Sequence, residues 1–312
     1  MSRRGKIAVT LGVLVGLGAV AGWVASTPQR PDSQIMASAA PGDAERGARM
    51  FHAGGCASCH AAKGAEGDAR FTLAGGVKLA TPFGTFVAPN ISQDKDDGIG
   101  GWTLDDFAAA MLKGVSPDGR HYYPAFPYAS YARMKPQDIA DLFAFMQTLP
   151  AVAGHTAEHD LAFPYNIRRG IGLWKLLYLD ERPVVEFAEG APDKVLAGRY
   201  LVEGPGHCGE CHTPRDFAGG SDRNQWLAGA VAAEGEGVVP NITSGEGGIG
   251  DWSESDIAGY LETGFTPDFD SVGGSMVEVQ KNMAELTSED REAIAAYLKA
   301  IPARQNGYPA RQ

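Results

Sequence analysis

The sequence has few basic residues for its size, with 27 lysines and arginines against 38 aspartates and glutamates among 312 residues. The net charge of -11 argues against a nucleic-acid partner, because a phosphate backbone repels an acidic surface. Disorder is not expected, since 44% of the residues are hydrophobic, an ordinary share for a folded protein. A chain of this length predicts two domains of ordinary size.

Cysteine is also scarce, and all four cysteines fall in two Cys-x-x-Cys-His strings, residues 56–60 and 208–212. No thiol is left for a disulfide. Two thiols on one helical turn can add to the two vinyl groups of haem, and the adjacent histidine becomes the proximal iron ligand. We therefore predict two covalently bound haem c groups. The residues predicted to bind them are Cys56, Cys59, His60, Cys208, Cys211 and His212.

Cys-x-x-Cys strings also occur in zinc ribbons and in thioredoxin-like redox proteins. Zinc would need a second pair of cysteines or histidines within each repeat, and neither repeat offers one. A redox dithiol would not require histidine at the next position twice. The two strings therefore favour haem attachment.

The N-terminus carries Arg3, Arg4 and Lys6 ahead of an apolar run that ends near Ala25, a pattern typical of export. The run is long for a signal peptide and near the lower end of the roughly 17 to 25 residues of a membrane span. We expect residues 1–26 to form a signal or, in preference, a retained membrane anchor. The rest would lie on the periplasmic side of the bacterial inner membrane, or free in the periplasm if the segment is cleaved.

Residues 27–42 have no apolar period and predict a flexible tether, and beyond them the sequence repeats itself at an offset of about 150 residues. The matching pairs are Pro89-Asn90-Ile91-Ser92 with Pro240-Asn241-Ile242-Thr243, Gly98–Trp102 with Gly248–Trp252, and Leu149-Pro150 with Ile301-Pro302. Such a regular offset indicates a tandem duplication. The predicted boundaries are 43–150 for domain 1, 151–192 for a linker, 193–303 for domain 2 and 304–312 for a tail.

Each repeat reads as a helix leading into the haem string, a Gly-rich loop region, a middle helix and a closing helix. The predicted first helices cover 44–53 and 193–203, and the closing helices cover 135–149 and 287–301. The middle helices begin at Thr103 and Ser253, which are good N-caps with an acidic residue in the first turn. No run shows sustained period-two alternation, so the predicted class is all-α.

The sixth iron ligand decides whether a haem only transfers electrons or also binds small ligands. In domain 2, Met276 lies in a Gly-rich loop ahead of the closing helix, with Met283 as the alternative. In domain 1, Met134 is the only methionine of the corresponding loop, and His121 is its main competitor. We predict His60 and Met134 at one iron, and His212 and Met276 at the other.

Residues 84–92, 98–103 and 119–134 together resemble the first haem domain of the cytochrome c subunits of bacterial membrane-bound alcohol and gluconate dehydrogenases. The resemblance extends over roughly residues 43–303 and implies tandem class I-like cytochrome c domains. Those subunits usually carry three haem domains, whereas this chain has two haem strings. Relatives often read Ala-Met-Pro where this chain has Ala125-Phe126-Pro127. Phe126 cannot bind iron, which favours Met134.

The resemblance implies an electron carrier rather than an enzyme, taking electrons from a partner dehydrogenase and passing them to an oxidase, a cytochrome or another acceptor of the respiratory chain. The alternative is a dihaem peroxidase or a thiosulfate-oxidising cytochrome. A haem-based sensor of small gaseous ligands is a third hypothesis. The enzyme and the sensor hypotheses would each need one haem without a methionine ligand. Met134 is therefore the residue that decides between them and the electron carrier.

Overall fold

The computed structural model describes residues 2–233 and 237–308, without the side chains of residues 5, 8 and 9. Met1 and residues 309–312 of the predicted tail lie outside the described residues. The α-helices of the described part are α1 (Arg3–Ala25), α2 (Ser33–Ala37), α3 (Ala44–Ala53), α4 (Cys56–His60), α5 (Leu104–Lys113), α6 (Tyr128–Tyr131), α7 (Pro136–Met146), α8 (Gly170–Tyr178), α9 (Asp193–Glu203), α10 (Gly209–His212), α11 (Glu254–Thr263), α12 (Met276–Met283) and α13 (Ser288–Ala300).

The N-terminal segment forms one helix, α1, but the expected membrane anchor is not supported. Within the ranges that the structure describes, no helix has both the length and the hydropathy that a bilayer span requires. The end of α1 is held by α8, where the Arg169 guanidinium lies 4.5 Å from the centre of the Trp23 ring and donates to the Ser26 hydroxyl at 2.9 Å. The predicted tether contains α2, which buries Met36 in the core.

The two repeats contain the same helices in the same order. The first helices, α3 and α9, have the predicted bounds, and the closing helices, α7 and α13, are one to three residues shorter at each end than predicted. The middle helices, α5 and α11, begin with capping boxes at Thr103 and Ser253, which confirms the predicted N-caps. Each then ends at a glycine with positive φ, Gly114 or Gly264.

The prediction that no strands are needed is wrong in detail. The strands are β1 (Lys78–Thr81), β2 (Gly84–Val87), β3 (Asp160–Leu161), β4 (Ala230–Val231) and β5 (Val238–Val239). They form an antiparallel β1-β2-β3 sheet and a β4-β5 pair. With two to four residues each, they are too short to show a period-two pattern. Gly84 allows the β2-β3 approach, because a Cβ there would lie 2.3 Å from the carbonyl oxygen of Asp160. The fold remains mostly helical.

In each repeat the first and closing helices cross at close range, α3 on α7 and α9 on α13. The two repeats also contact each other. The Arg49 guanidinium of α3 forms a bidentate ion pair with Asp290 of α13, at 2.7 and 2.6 Å. The Asn282 amide of α12 donates to the hydroxyl of Ser58, inside the first Cys-x-x-Cys string, at 2.9 Å. The helix that carries one string is therefore fixed against the other repeat.

The segment between the repeats packs against both of them. The Trp174 indole N–H of α8 donates to the Ala218 carbonyl at 3.0 Å, and the indole ring meets Tyr128 of α6 edge-on at 6.2 Å. Further along, the buried Glu203 carboxylate accepts backbone N–H groups from Val184 and Val185 at 2.6 and 3.0 Å. These contacts hold the linker at its middle and near its C-terminal end.

Candidate functional site

The two Cys-x-x-Cys-His strings adopt the same local structure. Helix α4 runs over a single turn from Cys56 to His60, and α10 follows directly after Cys208 and ends at His212. Residues three apart lie on one face of a helix, so each string presents two thiols side by side with the histidine at the end of the turn. This is the arrangement that attachment through two vinyl groups needs.

The histidine rings are oriented by backbone carbonyl groups of the two repeated proline-asparagine strings. The Nδ1–H of His60 donates to the Pro89 carbonyl at 2.8 Å, and the Nδ1–H of His212 donates to the Pro240 carbonyl at 2.8 Å. Such a bond fixes the tautomer and directs Nε2 to a metal. Burial lowers the pKa of both imidazoles, against the opposing effect of the carbonyl bond. Both histidines are therefore kept neutral, which is the form that binds iron.

A second bond holds the backbone of each histidine, and it requires glycine. The Gly75 N–H donates to the His60 carbonyl at 2.8 Å, and the Gly229 N–H donates to the His212 carbonyl at 2.7 Å. Both glycines have positive φ, +74° and +81°. A Cβ on Gly75 would lie 2.4 Å from the Pro89 carbonyl carbon. The loop at Pro89, which orients the His60 ring, thus packs directly against Gly75, which holds the His60 backbone.

The proline carbonyls are themselves positioned by the asparagines that follow them. The Asn90 amide donates to the Val152 carbonyl at 2.7 Å, and the Asn241 amide donates to the Arg304 carbonyl at 2.9 Å. Each side-chain oxygen accepts the N–H of the residue two positions on, Ser92 or Thr243. The Pro-Asn-Ile strings therefore play the same role in both repeats, which is to fix the carbonyl group that orients the histidine.

The alternatives to haem fit these strings poorly. Burial raises the pKa of the Cys56 thiol to about 12, and it does the same for Cys208, whereas a redox dithiol needs a lowered thiol pKa. In the part of the chain that the structure describes, no three histidine, cysteine, aspartate or glutamate side chains are grouped as a metal site. The donor set instead fits a group that supplies most of the iron ligands itself, which is haem.

The candidate sixth ligands lie in different settings. Met276 is the first residue of α12 and is half-buried, whereas Met283 at the end of α12 is buried. Met134 is buried just ahead of α7. His121 is unsuited to iron, because its Nε2 donates to the Ser26 carbonyl at 2.9 Å and its Nδ1 accepts from the Lys175 ammonium at 3.1 Å. These settings do not test the predicted ligation by Met134 and Met276.

Sequence reasoning missed the junction between the two strings. The Gly54 carbonyl, two residues before Cys56, accepts from the Tyr131 hydroxyl at 3.4 Å and from the His207 Nε2 at 3.2 Å. The Tyr131 and His207 rings meet edge-on at 5.6 Å, and His207 directly precedes Cys208. The sequence around His207 does not predict this contact, because the carbonyl group that it binds lies 153 positions away in the sequence.

Comparison with known proteins agrees with this geometry. The family model described as Cytochrome c matches residues 44–150. A diheme cytochrome c-type protein of Cereibacter sphaeroides is 52% identical over 300 residues, covering 96% of this chain and 99% of that protein. The fructose dehydrogenase cytochrome subunit of Gluconobacter japonicus is 36% identical, covering 88% of this chain and 56% of the subunit.

The cytochrome c subunit of the quinone alcohol dehydrogenase of Gluconobacter oxydans is also 36% identical, covering 84% of this chain and 55% of the subunit. This chain therefore spans a little over half the length of those dehydrogenase subunits. The match to the diheme Cereibacter relative, in contrast, covers 99% of that protein. The chain belongs to the cytochrome c family, as a dihaem c-type cytochrome that transfers electrons and carries two covalently bound haem c groups.

Proposed function

We propose that this cytochrome accepts electrons from a partner dehydrogenase and delivers them to an acceptor of the respiratory chain. The supporting observation is that several relatives, each 36% identical to this chain, are named as cytochrome subunits of fructose, alcohol and gluconate dehydrogenases. These names favour electron transfer over the alternative of a dihaem peroxidase or a thiosulfate-oxidising cytochrome. Because the chain spans only 55 to 60% of those subunits, the identity of its dehydrogenase is part of the proposal.

The haem-binding residues follow from the repeated geometry. We assign Cys56 and Cys59 with His60 to one haem, and Cys208 and Cys211 with His212 to the other. Each bound haem supplies reversible one-electron chemistry at iron. The chain attaches it, orients one neutral imidazole toward it and excludes water with the helices that pack around the string. Met276 is the proposed sixth ligand in the second repeat.

The domain boundaries belong to the same proposal. We place one haem domain at 43–150 and the other at 193–303, joined by the linker 151–192. The close α3-α7 and α9-α13 crossings, one in each repeat, support this division. The basic N-terminus with its apolar run supports export to the periplasm, where covalent haem attachment follows translocation.

Electron passage between the two haems within the chain is supported by the junction at Gly54. The tyrosine and histidine that bond to its carbonyl come from opposite repeats, and the string residues Ser58 and Glu210 are each held by a side chain of the other repeat, Asn282 and Ser130. Short, rigid connections between the two haem-binding turns favour transfer inside one molecule over transfer between molecules.

The experiment has two steps. Covalent haem is first counted by mass spectrometry on the exported protein, with two groups expected, and one in a variant with Cys208 and Cys211 both changed to serine. The oxidised protein is then mixed with membranes of the source bacterium, and haem reduction is followed after addition of an alcohol, a sugar or a sugar acid. Substrate-dependent reduction supports the proposal. Turnover of peroxide, with no reduction by any substrate, would contradict it.

A further inference from the structure

The loop that carries Met276 has a counterpart in the first repeat with the same backbone. An isolated antiparallel bridge closes the loop in each case, between Val115 and His121 and between Phe265 and Ser271. The next residue then donates back to the glycine at the end of the preceding helix, Tyr122 to Gly114 and Val272 to Gly264, both at 2.7 Å. The offset between the two loops here is 150 residues throughout. Four positions after the donor residue of this bond, the second repeat has Met276 and the first repeat has Phe126.

Phe126 therefore occupies the place that Met276 has in the second repeat. Its N–H closes a turn on the Tyr123 carbonyl at 3.0 Å, and its half-buried ring packs edge-on against Tyr131 at 5.7 Å. The Tyr131 hydroxyl in turn donates to the Gly54 carbonyl, two residues before Cys56, at 3.4 Å. Phe126 is thus directed toward the first haem string, but a phenyl ring has no lone pair for iron.

Met134 does not occupy the position in the first repeat that corresponds to Met276. It lies two residues before α7 begins, and Leu286 lies two residues before α13 begins. Both side chains are 5% exposed. Between Phe126 and Met134 the chain forms the short α6, whereas after Met276 it forms the longer α12, which accounts for the different spacing. Met134 is therefore the counterpart of a leucine in the core of the second repeat.

All the methionines of the first repeat, Met134 included, follow the same rule. All four are buried, and each has a buried leucine at the matching place of the second repeat. The pairs are Met50 with Leu201, Met111 with Leu261, Met134 with Leu286, and Met146 with Leu298. Leucine and methionine replace each other readily in cores, so these pairs indicate packing. The second repeat differs, because its two methionines have aromatic counterparts: Met276 corresponds to Phe126, and Met283, the last residue of α12, corresponds to Tyr131, the last residue of α6.

We propose that the iron bound at His60 has no methionine ligand and accepts small exogenous ligands such as carbon monoxide, while the iron bound at His212 is closed by Met276. This inference rests on the proposed haem sites at the two strings. His121 cannot close the first site, because both of its ring nitrogens are engaged. The first iron is thus a ligand-binding centre within an electron carrier.

The test counts bound carbon monoxide on the reduced protein, and the near-infrared band of methionine-ligated ferric haem on the oxidised protein. We expect one carbon monoxide and one methionine-ligated haem for each two-haem chain. Met276→Leu should bind two equivalents of carbon monoxide and lose the band. Met134→Leu is the matched control, with the same exchange at the core position, and should leave both signals unchanged. Phe126→Met should close the first site and double the band.

Each outcome bears on a different claim. A wild-type protein that binds no carbon monoxide overturns the inference, and a Met134→Leu variant that loses half of the near-infrared band overturns it and identifies Met134 as the ligand. If Phe126→Met fails to fold, the comparison of the two methionine variants still decides the matter. A covalent haem count other than two contradicts the proposed haem sites instead, and that count is made on the same samples.

Discussion

The crossing of α9 and α13 provides the sharpest stability prediction. Gly198 faces the backbone of α13, and a Cβ at this position would lie 1.8 Å from the Ala293 carbonyl oxygen and 2.8 Å from the Tyr297 Cβ. The obstacle is backbone, so no side-chain rotation relieves it, and the helices must separate. Overpacking of this kind costs about 3 kcal/mol at its upper end, while alanine gains about 1 kcal/mol over glycine in a helix. Gly198→Ala should therefore destabilise the protein by about 2 kcal/mol.

The control for this substitution is Gly259→Ala in α11. Gly259 is also inside a helix, but a Cβ there has nothing within 4 Å, so only the propensity gain of about 0.5 to 1 kcal/mol remains. Thermal unfolding of the haem-loaded proteins, followed by far-ultraviolet circular dichroism, measures both. We expect Gly198→Ala to lower the Tm by about 4 to 8 °C and Gly259→Ala to raise it slightly. Equal Tm values for the two variants would show that α9 and α13 do not touch at Gly198.

Three further predictions concern other parts of the structure. Burial acts to raise the pKa of Asp141, but hydrogen bonds from arginine, backbone and glutamine donors hold it below 3.8. The stabilising effect of the carboxylate is therefore fully present above pH 3.8 and is lost as the pH falls through the lowered pKa. Asp141→Asn should lower the denaturation midpoint at pH 7, and the gap to wild type should close as the pH is lowered below 3.8. Arg49→Met should leave Asp290 without its ion pair and cost about 1 to 2 kcal/mol in guanidinium unfolding, since the guanidinium is partly exposed. Gly229→Ala should reduce covalent haem at the second string alone, measured by mass spectrometry of proteolytic fragments, because a Cβ there would lie 2.6 Å from the Asn241 nitrogen.

The parts of the site that the sequence predicted are those that the duplication repeats. The two Cys-x-x-Cys-His strings and the capped middle helices occur twice at nearly constant spacing, so each occurrence supports the other. Contacts between the repeats have no such support. Arg49 and Asp290 are 241 positions apart, and nothing in either local pattern marks them as partners. The short β1-β2 hairpin was missed for a different reason, since four-residue strands next to glycines resemble ordinary loops.

The choice of Met134 shows how a search confined to one repeat differs from a comparison between two. Within the first loop Met134 is the only methionine, and composition alone selects it. Matching the backbone hydrogen bonds of the two loops pairs Phe126 with Met276, because the bonds at Tyr122 and Val272 fix the register four residues before them. This pairing is the basis of our proposal that Met134 is not a ligand. The two-residue difference in spacing arises later, in α6 and α12. Residue type and sequence order could not have located that difference.

The two halves of each site have diverged to different degrees, and this bears on the direction of electron flow. The side that holds histidine is the same in both repeats, down to the glycine N–H and proline carbonyl that hold His60 and His212. Haem attachment needs that side intact, whereas in the ligation we propose the loop with Phe126 or Met276 only tunes the iron. Methionine ligation raises the reduction potential, so the proposed Met276 ligand should make the second iron the stronger oxidant, and electrons should run from the first haem to the second. A redox titration should give two separate midpoints, and Met276→Leu should remove the higher one while leaving the lower one in place; loss of the lower one would reverse the order.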